Sequence, residues 1–178
     1  MSSLSEIGLP VESGRVQVVS LSYSEHAKAL IAATDGKEVP RRLFVRGIHQ
    51  DRYVEAVAPT GRRFLGEVMV AQGASVAFSL VADDSTKKNA VVVIELPSAR
   101  VRLVPAPVDP NEPAGRPLSI HSLVGVAANG TRAFVVLCYE AKLVDGVLVF
   151  KNYRYKVVGL PVESGPLDIV TILPATFA

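Results

Sequence analysis

Seven arginines fall into three groups along the chain: Arg41, Arg42 and Arg46; Arg62 and Arg63; Arg100 and Arg102. The chemistry such groups offer is anion recognition. A guanidinium is always charged, and its fork of donors matches the oxygens of a phosphate or carboxylate. Arginine outnumbers lysine 12 to 7 over the whole chain. Arg100 and Arg102 are two residues apart, so a strand would set both on one face. Lys87 and Lys88 would add charge. If the groups converge, they make a contact face for nucleic-acid phosphates without a basic tail. The competing expectation is a set of solvated charges that keep sheet edges from pairing with other chains.

Other reactive side chains do not assemble into a site. The histidines are His26, His49 and His121, and the nearest approach to a metal set is His49-Gln50-Asp51. Two ligands do not make a metal site, so no bound metal is expected. Ser119 and His121 would share a strand face like a nucleophile and its base, but no nucleophile elbow or orienting acid accompanies them. Gly61-Arg62-Arg63 and the segment 125–130 lack the spacing and the lysine of a phosphate-binding loop. Asp83-Asp84 lacks the periodicity of a calcium loop and reads as a solvated turn. The single cysteine, Cys138, excludes an internal disulfide and sits in an apolar run as a small hydrophobe. No catalytic residue and no cofactor is assigned, and the chain is not expected to be an enzyme.

The elements that must position the arginines are strands and turns. Arg15–Leu21, Leu43–Ile48, Tyr53–Ala58, Phe64–Ala71, Ser75–Ala82, Ala90–Leu96 and Ala99–Val104 read as strands. Ala90–Leu96 is interrupted only by Glu95, the pattern of a strand buried on both faces. Gln72-Gly73 suits a hairpin, and residues 83–89 form a polar turn. Ser22 and Glu25 fit a capping box, alanines with Leu30 and Ile31 follow, and Gly36 stands at a C-cap position. These predict one short helix over residues 23–34. Residues 105–117 hold five prolines and read as a long crossover loop.

Two further hairpins are expected. Asn129-Gly130 joins Ser119–Ala127 to Thr131–Val144. Asp145-Gly146 joins long β-rich runs, and with Val144 facing Val147 the register sets Glu140 opposite Lys151 and Cys138 opposite Tyr153. A heptapeptide also repeats unchanged: residues 8–14 and residues 159–165 both read Gly-Leu-Pro-Val-Glu-Ser-Gly. Val16, Val18, Val19, Ser20 and Leu21 then match Leu167, Ile169, Val170, Thr171 and Ile172 in kind. The repeated unit is a turn followed by a strand. It reads either as a stable local structure used twice or as two similar docking edges.

The chain has 178 residues, 49% hydrophobic and 20% charged, which excludes intrinsic disorder and fits one domain. The net charge of +2 is not the footprint of a dedicated nucleic-acid binder. Mean hydropathy is +0.31, yet no uncharged stretch reaches the ~20 residues of a spanning helix. The expectation is no membrane partner, and burial of apolar surface against other subunits. No secretory signal is visible at the N-terminus, so a virion or the cytoplasm is the expected location. The predicted fold class is all-β. The form expected is an antiparallel β-sandwich or barrel of jelly-roll type, about eight strands and the one helix. It comprises an extended arm over residues 1–14 and a single β domain over residues 15–178. Three function classes follow. The first is a self-assembling structural protein, a viral capsid or virus-like shell component with itself as partner and nucleic acid as cargo. The second is a non-catalytic β-barrel module that binds a small ligand or a protein. The third is an enzyme on the same scaffold, which would need the metal or acid cluster not found above.

Overall fold

The computed structural model describes residues 18–34, 40–65, 68–86, 88–104, 120–129, 132–139, 142–144, 147–149, 154–161 and 168–174, with side chains as far as residue 127 apart from His121. Everything regular in it is β-structure. The first sheet is a meander of β1 (Val18–Ser24), β2 (Ala29–Thr34), β3 (Leu43–Gly47) and β4 (Val54–Ala56), in that order. The central sheet comprises β5 (Arg62–Phe64), β6 (Met69–Val70), β7 (Val76–Asp83), β8 (Asn89–Glu95) and β9 (Val101–Val104). Its order is β5-β7-β8-β9, with β6 beside β5 on the same edge of β7. The third contains β10 (Ile120–Asn129), β11 (Arg132–Tyr139), β14 (Arg154–Pro161) and β15 (Asp168–Pro174), in that order. A separate ribbon pairs β12 (Lys142–Val144) with β13 (Val147–Val149). All pairings are antiparallel.

The period-2 alternation of strand side chains explains the layering. On one face of the central sheet, Ala77, Val81, Val92 and Ile94 meet Ile31, Leu43 and Val45 of the first sheet. On the other face, Val76, Phe78, Leu80, Val91, Val93 and Val104 form a second core with Ile120, against which Leu123 and Val126 of β10 pack. The central sheet therefore has apolar neighbours on both sides, and β7 is buried at every residue from Val76 to Ala82. That is why 76–82 and 90–96 read as near-continuous apolar runs. Each fully buried Val, Leu, Ile or Phe contributes about 1.5–3 kcal/mol. Much of the hydropathy that pointed to subunit contacts is thus used within the chain.

A polar residue without a partner lies in that layer. Ser79 is fully buried between the first and central sheets, and its hydroxyl has no hydrogen-bond partner. An unmet buried hydroxyl costs free energy, so Ser79→Ala should raise stability by about 1 kcal/mol. A denaturant melt with an unchanged or lower midpoint would refute this.

The structure corrects several expectations. The helix over residues 23–34 is a β-hairpin, β1 and β2, with Tyr23 opposite Leu30 and Ser24 opposite Ala29. The expected cap does not form: Ser22 lies within β1 opposite Ile31. The Ser24 hydroxyl instead accepts the Ala27 N–H at 3.1 Å, Glu25 pairs with Lys28, and Lys28 turns the chain at φ 49. That positive φ leads the chain back into β2 rather than on into a helix. Ile31-Ala32-Ala33-Thr34 is buried at every residue, which an inner strand of a sheet satisfies and a surface helix does not. The single strand expected over 64–71 is not formed: Phe64 ends β5, Met69–Val70 is β6, and the two pair at different points along β7. The described chain has fifteen strands rather than about eight. Its sheets are built from strands close in sequence, without the interleaved order of a jelly roll.

Other hairpins hold. Gly73, at φ 83, turns β6 into β7. Asn129 lies opposite Arg132, and Val144 opposite Val147. The register does not run on from the second of these: Cys138 faces Tyr155 of β14, not Tyr153. Two residues, 140–141, separate β11 from β12, whereas four, 150–153, separate β13 from β14. That difference of two shifts the pairing while keeping its parity. Glu140 and Lys151, the arm over 1–14, the loop over 105–117, Lys87 and Ser119 lie outside the described residues. So do the first heptapeptide copy and residues 162–165 of the second. The strands that follow both copies are described, and β1 and β15 each form the end strand of a four-stranded sheet.

Candidate interaction surface

The first sheet turns one face to the central sheet and the other outward. Cross-strand register defines the outward face: Leu21 and Tyr23 lie opposite Ala32 and Leu30, these opposite Phe44 and Arg46, and Phe44 opposite Glu55. Ala32, Phe44 and Tyr53 form a small buried cluster there, with Val18 packed against it. The Arg42 guanidinium lies 4.9 Å above the Phe44 ring. Its Nε donates to Glu55 Oε1 at 2.8 Å and Nη2 to Oε2 at 2.6 Å. The Arg42 backbone N–H donates to Thr34 Oγ1 at 2.9 Å. Arg46 stacks 4.9 Å above the Tyr53 ring, and the buried Tyr53 hydroxyl has no partner. The Arg42 hydrogen bonds hold the Glu55 carboxyl below its usual range against the opposing effect of burial.

The sheet's end strand is different in character. In β1 the serines at 20 and 22 are half-buried, while Val19, Leu21 and Tyr23 are 51%, 51% and 39% exposed. Among the described residues, six of the nine exposed large hydrophobics belong to the first sheet or its connections: Val19, Leu21, Tyr23, Ile48, Val54 and Val57. The sequence carried this signal plainly, as strict alternation of apolar residues with serines through residues 19–24. The capping box at the same place drew the reading toward a helix.

The seven arginines do not share one face. Arg41 forms a bridge with Phe64 and so lies beside Arg62 and Arg63 of β5. Arg62 pairs with Asp83 at 3.2 Å and Arg63 with Asp84 at 3.4 Å. Arg42 and Arg46 are on the outer face of the first sheet. Arg100 is exposed just before β9, and Arg102 lies within β9 opposite Val93. Strands β5 and β9 are opposite edges of the central sheet, three strand spacings or about 14 Å apart. Arg102 Nε and Nη2 are buried without a hydrogen-bond partner.

His26, His49 and Asp51 are all exposed, the first on the β1–β2 turn and the others on the connection after β3. Among the described residues no three of His, Cys, Asp or Glu come together. No described helix is long and apolar enough to cross a membrane. Asp83 caps the β7–β8 turn, accepting from the Ser85 hydroxyl at 2.6 Å and from the Thr86 and Ser85 N–H groups at 2.8 and 3.0 Å. The Ser85 hydroxyl, followed by the Thr86 N–H, holds its carboxyl well below the carboxylate range. A depressed folded-state pKa adds stability above the unfolded value, lost as pH falls. Thermal melts should therefore show stability falling below about pH 4, less steeply in Asp83→Asn. Identical acid profiles for the two proteins would count against this role for Asp83.

Comparison of the chain with protein-family models, curated proteins and solved structures finds no match. Geometry alone therefore carries the functional reading. It offers an outward surface of exposed apolar groups beside stacked guanidinium and aromatic groups.

Proposed function

We propose that this chain is a self-assembling structural protein, a building block of a shell such as a viral capsid. The observation that carries the reading is the gathering of exposed apolar side chains on the first sheet, above all along β1. Contiguous exposed apolar surface marks sites of association. Nucleic acid is the cargo the arginines would suit. Arg42, Arg62 and Arg63 are held by carboxylates, and Arg46 lies over the Tyr53 ring. Arg100 is exposed, and charge removal at Arg100 together with Arg102, two residues on, should reduce co-purifying nucleic acid. Sedimentation velocity with negative-stain imaging tests the main reading. Species well above 18.9 kDa are expected at tens of micromolar. A monomer at that concentration would refute it and favour a non-catalytic binding module.

A further inference from the structure

We infer that β1 pairs edge to edge with β1 of a second copy, antiparallel about a two-fold axis at Leu21. Two first sheets then join into one continuous eight-stranded sheet. This rests on the self-association proposed above and names its surface.

End strands are templates for pairing unless something blunts them: charge, proline, bulges or shortness. The other end strands have such devices. β4 is three residues long and carries Glu55, β5 carries Arg62 and Arg63, and β9 carries Arg102. β10 has two register breaks, and β15 begins at Asp168 and ends at Pro174. β1 has neither charge nor proline, and its one break, between Val18 and Ser20, leaves its pairing regular from Ser20 to Ser24. Among the described residues it is the least guarded edge.

The strand is also complementary to itself. An axis at Leu21, the middle of residues 18–24, places Leu21 against Leu21, Val19 against Tyr23 and Ser20 against Ser22. The outward row would then meet only apolar partners, and the inward row would meet hydroxyls that can hydrogen-bond across the pair. No like charges are opposed, because Glu25 and Lys28 lie beyond the strand and pair with each other. An isologous contact requires this self-matching. Val19, Leu21 and Tyr23 are exposed, and among the described residues no strand other than β2 pairs with β1.

The test uses the full chain. Leu21→Lys sets two like charges face to face on the axis and should weaken self-association about ten-fold or more. Circular dichroism should stay unchanged, and so should the unfolding midpoint at concentrations low enough for both chains to be monomeric, because the side chain is half exposed. In a Cys138→Ala background, Leu21→Cys should form a disulfide-linked dimer with diamide as oxidant. A mixture of Val19→Cys and Tyr23→Cys chains should give the mixed dimer. The Leu21→Lys arm needs no second substitution. If the folded Leu21→Lys chain associates like wild type and Leu21→Cys does not cross-link, the β1 pairing is overturned while assembly stands. If wild type is monomeric, both are overturned.

Discussion

Phe78→Ala should lower the free energy of unfolding by about 3–5 kcal/mol. Phe78 is fully buried in β7, with Val93 opposite it on β8 and Met69 opposite it on β6. Its ring belongs to the core on the β10 side of the central sheet. The surrounding strands are held by ladders on both sides, so the site cannot collapse to fill the void, and the cavity cost adds to the lost transfer energy. Domains are stable by only about 5–15 kcal/mol in total, so the loss is a large fraction of the whole. Chemical denaturation measures it from the shift in midpoint at constant slope. A loss below about 1 kcal/mol would mean that β10 does not seal this face in solution.

Phe44→Ala should cost a similar amount, about 3–5 kcal/mol, through a different set of contacts. Phe44 is fully buried, yet it lies on the outward face of the first sheet, under the Arg42 guanidinium. Removing the ring takes away the platform that orients Arg42 toward Glu55. The Glu55 carboxyl should then titrate closer to its ordinary range, because the Arg42 hydrogen bonds depress it. The sign follows from linkage: a depressed carboxyl adds stability above its unfolded pKa and loses it as pH falls. Wild type should therefore lose more on acidification than the variant, and the gap between them should narrow below about pH 4. NMR titration of Glu55 reads the electrostatic part separately. An unmoved Glu55 in a destabilised Phe44→Ala protein would show that Arg42 holds its position without the ring.

The all-β class was legible because its signals are local. Short apolar runs marked β3 and β7, and Asp-Gly and Asn-Gly marked turns whose flanking pairings the structure contains. Ala90–Leu96 was read as buried on both faces, and β8 is. The same logic failed at residues 23–34. There Ser24, Glu25 and Lys28 form the turn of a hairpin, and nothing in their types says that a strand rather than a helix follows. Register across 138–155 was misjudged because parity survives a shift of two residues, so the side-chain pattern cannot detect it. The arginine groups were found as spacings, but their fates depend on carboxylates distant in sequence. Glu55 holds Arg42 across 13 positions, and Asp84 holds Arg63 across 21. The apolar row of β1 was in plain view, but its exposure depends on which strand ends the sheet, a matter of topology.

The two-sided covering of the central sheet has a consequence for how the chain opens. β8 is bonded to β7 on one flank and β9 on the other, and Val91 to Ile94 are sealed above and below. No partial fraying exposes its amides to solvent. Their exchange with deuterium should report the free energy at which the whole molecule comes apart, whereas the amides at the β1 rim exchange through small local openings. A strand in the middle of the chain thereby becomes an internal gauge of global stability, readable in the same sample that shows whether β1 has found a second copy.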